Sequence, residues 1–90
     1  MKILALELST PHGSLAWQDG EIEFEREWPN DRKNSAAFFE NLQAARRKFG
    51  APEKIIVGLG PGSYAGTRIA ISAAIGMQLC CDARLIAQYS

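Results

Sequence analysis

Residues 55–68, Ile-Ile-Val-Gly-Leu-Gly-Pro-Gly-Ser-Tyr-Ala-Gly-Thr-Arg, constrain the fold of this chain more than any other segment. A short apolar run passes into a loop and then into a stretch of small apolar residues. Four glycines (Gly58, Gly60, Gly62, Gly66) fall within nine positions. Glycine at that density marks unusual backbone angles or the close approach of another group. The pattern predicts a buried strand, a tight loop and a helix start. The first N–H groups of such a helix lack backbone partners and suit an anion. The loop therefore either cradles a phosphate or launches a helix packed closely against protein.

The flanking patterns place this unit in a sheet. Ile3 to Leu6 with Leu8 is nearly continuous apolar sequence, as in a central strand covered on both faces. Residues 9–13 read as a turn and Ser14 to Gln18 as a second strand. Asp19-Gly20 predicts a two-residue hairpin. Residues 21–28 alternate, with Ile22, Phe24 and Trp28 on one side and Glu21, Glu23, Glu25 and Glu27 on the other. A charged face of that kind suits an edge strand guarded against stray pairing. Arg26 interrupts the apolar side and belongs near its rim.

Phe38, Phe39, Leu42, Ala45 and Phe49 recur at helical spacing, after Asn34 or Ser35 as cap. Arg46, Arg47 and Lys48 complement the end of that helix, and Gly50 and Pro52 stop it. A fourth strand over residues 55–59, a helix over 64–79 and a short strand over 84–87 complete the chain. The order β-β-β-α-β-α-β predicts a mixed five-stranded sheet, 3-2-1-4-5, with its first, fourth and fifth strands parallel and helices on its faces. This is a ribonuclease H-like α/β fold, the arrangement also found in one lobe of actin-like ATPases and sugar kinases.

Ninety residues make one small domain, 1–90. Ten basic residues balance ten acidic ones, which is no footprint for binding nucleic acid unaided. No apolar run reaches the ~18 residues of a membrane span, and Met1-Lys2-Ile3 leads into a strand rather than a signal peptide. Cys80 and Cys81 are adjacent, which predicts two reduced thiols buried at a helix end and a cytoplasmic protein.

Three groups of residues carry candidate chemistry. The glycine loop lacks the lysine of a P-loop, and its match to G-x-G-x-x-A follows the fourth strand rather than the first. Arg68 stands in the first turn of the second helix, where a cation opposes the dipole unless it meets an anion or a partner's carboxylate. Glu7, Ser9 and Thr10 follow the first strand, as an acidic residue and hydroxyls do in phosphate-handling actin-like folds. The candidate phosphate or nucleotide contacts are thus Glu7, Ser9, Thr10, Gly60, Gly62, Ser63 and Arg68. No catalytic or metal-binding set emerges from spacing, and His12 alone makes no metal site. Gly66, Ala70, Ala73 and Gly76 form a small-residue stripe along the second helix. The stripe packs either on the sheet or against another subunit. The subunit interface would then comprise Phe39, Gly66, Ile69, Ala70, Ala73, Gly76 and Met77.

Met1-Lys-Ile-Leu-Ala-Leu-Glu-Leu-Ser-Thr-Pro11 and Gly60-Pro-Gly-Ser-Tyr-Ala-Gly-Thr-Arg-Ile69 resemble the N-terminal domain of the TsaB (YeaZ) family, once described as glycoprotease-like. The likeness runs in order and spacing through the chain and covers one lobe, the family's second lobe being absent. It implies a non-catalytic subunit in making threonylcarbamoyladenosine in tRNA. Such a subunit pairs with a TsaD-like catalytic protein through its two helices, with a TsaE-like ATPase joining, and self-associates when alone. No cofactor belongs to the subunit in that role. The chain departs from the family pattern at Glu7 (usually Asp), Asn34 (His), Ala65 and Thr67 (Thr and Leu) and Ile75 (Lys). These changes remove polar groups and leave packing intact. A nucleotide-binding or phosphotransfer enzyme using Mg-ATP, and an inactive truncated relic, are the alternatives.

Overall fold

The computed structural model describes residues 1–8, 12–29, 36–58 and 64–88, with 64–67 as backbone only. In chain order the elements are β1 (Lys2–Glu7), β2 (His12–Asp19), β3 (Ile22–Pro29), α1 (Ala36–Phe49), β4 (Lys54–Gly58), α2 (Tyr64–Cys81) and β5 (Arg84–Gln88). They form one sheet in the order β3-β2-β1-β4-β5, as expected. β3, β2 and β1 run as an antiparallel meander, and β4 and β5 extend it in parallel.

The β2–β3 hairpin turns one residue later than the Asp19-Gly20 signal suggests. Asp19 still pairs with Ile22, so Gly20 and Glu21 are the loop. Gly20 has φ 61° at the first loop position, the place that a type II′ turn reserves for glycine. His12 and Gly13, expected in a turn, belong to β2 instead. Gly13 is obligatory there, because a Cβ would strike the indole of Trp28 on the neighbouring strand.

Strand register sorts every side chain to one face or the other. Leu4, Leu6, Leu15, Trp17, Ile55 and Val57 share one face and are fully buried. α1 packs on that face over β2 and β3, bringing Phe38, Leu42 and Ala45 into the core. α2 covers β4, β5 and β1 on the same face with Ala70, Ala74 and Met77. The Trp17 ring stacks on Phe49 at 5.1 Å, and Trp28 lies 6.0 Å from Phe38. Arg26 does sit at the rim, with its guanidinium 4.2 Å from the Phe24 ring centre.

Helices were expected on both faces, yet both lie on one. Two right-handed crossovers that progress in the same direction across a sheet, β3 to β4 and β4 to β5, must land on the same side. The described elements therefore form two layers, and none of them covers the second face of the sheet. The cysteines also differ from expectation. Cys80 is exposed and Cys81 half-buried, with Arg46 Nη2 donating to Cys81 Sγ at 3.4 Å.

Candidate functional site

The parallel pairing of β1 with β4 sets Glu7 directly beside Gly58. These are the carboxyl ends of two neighbouring parallel strands, where open α/β sheets bind ligands. The missing side chain of Gly58 makes the room that Glu7 occupies, since a Cβ there would collide with the Glu7 carboxylate. Ser14 pairs with Glu7 from β2, and Gln88 pairs with Gly58 from β5. Glu7, Ser14, Gly58 and Gln88 thus form one polar row across the end of the bare face, lining a depression of about 360 Å³. The sequence flagged Glu7 but not Ser14 or Gln88. Nothing in their spacing shows that they share a row; only the register does.

Of the other candidate anion contacts, Arg68 is exposed near the start of α2. Ser9, Thr10, Gly60, Gly62 and Ser63 lie outside the described residues. Among the described residues, no three His, Cys, Asp or Glu side chains converge as a metal site would require. Glu27 extends the row on β3, so the structure brings together two carboxylates, one hydroxyl and one amide, which can hydrogen-bond a polar ligand.

The second candidate site is the outer surface of the helices. α2 has two faces. Ala70, Ala74 and Met77 are buried on the sheet, and Ile69 and Ala73 are half-covered beside them. Ser72, Ile75, Gly76 and Leu79 form the outward face with Arg68 at its head. The expected small-residue stripe thus divides, with Ala70 and Met77 inside the core and Gly76 outside. Gly66 lies in the helix backbone, its surroundings outside the described side chains. Leu79 is 83% exposed, Ile75 45%, and Phe39 on α1 48%. Sequence reading missed Ile75 and Leu79. The signal was present: residues 69–81 contain no charge at all. Ile75 and Leu79 make the outward face apolar except at Ser72 and Gln78, and apolar residues on more than one side of a helix point to cover on more than one side. No described helix is long and apolar enough to cross a membrane.

Among solved structures, the chain is similar to YeaZ from Pseudomonas aeruginosa, with a TM-score of 0.85 and 24% identity over 98% of this chain. A second structure, an uncharacterized protein with similarity to peptidase YeaZ from the same organism, matches equally well. The chain spans 43% of the length of each. The Thermus thermophilus RuvC, solved with a Holliday junction substrate, has a TM-score of 0.68 at 10% identity, covering the whole of this chain and 66% of RuvC. No protein-family model and no curated protein matches the sequence. At these identities the likeness establishes the fold: a ribonuclease H-like α/β sheet of the kind that forms part of YeaZ.

Proposed function

We propose that the protein is a non-catalytic partner subunit in tRNA threonylcarbamoyladenosine modification. In this role it pairs with a TsaD-like catalytic protein through the outer face of α1 and α2. A TsaE-like ATPase joins the assembly, and the chain alone forms a homodimer through the same face in the cytoplasm. The observation that supports this reading is the outward face of α2, where Ile75 and Leu79 stand in solvent on a helix without charge from Ile69 to Cys81. Exposed apolar patches of this kind are what subunit interfaces contain. The motif resemblance suggests these partners, and the YeaZ-like fold is in keeping with that reading.

Leu79→Arg is the suitable test, because Leu79 touches no core and the variant should fold. Ala73→Arg would confuse pairing with folding, since Ala73 packs against the core. Sedimentation of the chain alone and pull-down from the native cell should both show association lost in Leu79→Arg, with the circular dichroism spectrum unchanged. Equal association by both proteins would defeat the proposal.

A second reading has one observation behind it: Glu7 beside Gly58 at the carboxyl ends of two parallel strands. It makes the chain a nucleotide-binding or phosphotransfer enzyme. Saturable calorimetric binding of Mg-ATP that is lost in Arg68→Ala would favour it over the partner subunit.

A further inference from the structure

β3 is the edge of the sheet farthest from β5, and no described element pairs with its outer side. Its two-residue connection to β2 makes Asp19 and Ile22 the first bonded pair of the ladder, so bonded pairs recur at every second residue. Ile22, Phe24, Arg26 and Trp28 therefore turn their backbone groups toward β2. Glu23, Glu25 and Glu27 turn theirs outward, and their side chains are exposed. Each presents an N–H and a C=O along the edge, together with a carboxylate. Pro29 falls on the same outward phase without an N–H to offer, which ends the run. One outward group is already engaged. Arg26 Nη1 donates to Glu25 O at 3.1 Å, while its guanidinium rests 4.2 Å from the Phe24 ring centre. A side chain from the inner phase of the strand thus reaches round to cap the middle of the edge.

We infer that the outer edge of β3 takes an extended basic segment of a partner polypeptide as an added antiparallel strand, which displaces Arg26 from the Glu25 carbonyl. The composition of the occupant follows from the phase of the edge. Residues opposite Glu23, Glu25 and Glu27 form bonded pairs with them, with Cα atoms about 5.5 Å apart, so Lys or Arg at alternate positions meets all three carboxylates. The residue opposite Phe24 falls on the helix side of the sheet. There the half-buried Phe24 ring and Ile22, 53% exposed, favour an apolar side chain. A Lys-Thr-Lys-Val-Lys pattern satisfies the whole run. Main-chain bonds give affinity in such strand additions, and the alternating side chains give specificity. A second copy of this edge is a poor occupant, because two β3 strands paired about Glu25 set carboxylate against carboxylate. Arg26 acts in the same direction, since capping the central carbonyl turns away strands that do not compensate for its release. α2 packs over β4, β5 and β1, so the outward face of α2 and this edge are separate surfaces and their tests are independent.

The probe is a synthetic peptide of about nine residues built around Lys-Thr-Lys-Val-Lys, long enough to span β3. It is titrated into the 90-residue chain and followed by amide NMR and hydrogen exchange. Saturable shifts are expected at Glu23, Glu25 and Glu27, whose amides should gain about tenfold protection, with α2 unmoved. The same peptide methylated on the backbone nitrogen of its central lysine keeps every charge and loses a ladder bond opposite Glu25; it should not bind. The exposed double variant Glu25→Lys/Glu27→Lys should keep the fold and bind about tenfold more weakly. Arg26→Ala frees the Glu25 carbonyl and should bind about threefold more tightly, a gain retained in about 0.5 M salt, where a change of net charge is screened. Equal binding of the methylated peptide would reduce the edge to a charged surface and overturn the inference. So would outward amides of β3 that are protected before any peptide is added, shifts confined to the helices, or an Arg26→Ala gain that salt removes.

Discussion

Two helix ends in this chain share one geometry and fill it with different residues. Gly50 (φ 85°) follows α1 and its N–H donates to Arg46 O at 2.8 Å. Asp82 (φ 55°) follows α2 and its N–H donates to Gln78 O at 2.9 Å. Each bond closes the last helical turn through a left-handed residue, the position where glycine is usual. Aspartate tolerates that conformation at a cost, and glycine does not pay it. Asp82→Gly should therefore stabilise the fold by about 0.5 kcal/mol, and Gly50→Ala should destabilise it by about 1 kcal/mol. Urea unfolding midpoints check both signs. A loss of stability in Asp82→Gly would mean that the carboxylate has a partner of its own. Gly50 was legible as a stop because glycine announces the left-handed state. Asp82 was not, since its sequence context offers nothing to separate it from an ordinary surface acid.

At the scale of the element, α2 was readable in kind and extent but not in orientation. Its small residues at three- and four-residue spacing promised one flat face, yet they wind slowly around the helix. Ala70 ends on the sheet and Gly76 in solvent. Periodicity locates a stripe but does not say which side of it the sheet takes. The bulky residues decide that. Met77 enters the core, so Gly76 is forced outward. A Cβ at Gly76 would meet nothing within 4 Å of it. Glycine in mid-helix costs about 1 kcal/mol relative to alanine, and here no intramolecular contact demands it. Gly76→Ala should thus raise stability by about that amount in thermal unfolding. If the outward face of α2 is an interface whose partner approaches closely, the same variant should lower association in sedimentation. Stability rising with association unchanged would confine the interface to Ile75 and Leu79.

At the scale of the molecule, the strand order could be read from the sequence, because a hairpin meander followed by two right-handed crossovers has few solutions. The single helical layer could have been read from the same rule, but strand patterning pointed the other way. Apolar residues such as Ile3, Ala5, Ile56 and Ile86 announce burial without naming what buries them. One consequence concerns dynamics. β1 is bonded on both sides, to β2 over six residue pairs and to β4 over five. β3 and β5 each have one free edge. β5 is only five residues long, with Gln88 and Arg84 exposed. Protection against amide exchange follows bonded and buried backbone, and edges open locally without global unfolding. Amides of Leu4, Leu6, Ile55 and Val57 should therefore exchange slowest, at rates set by unfolding of the whole domain. Amides of β5 should exchange fastest among the strands, because its bare face lacks the layer that would hold Ile86 in place. Uniform protection across the five strands would show that the sheet is rigid without a second layer, and that its bare face needs no cover for stability.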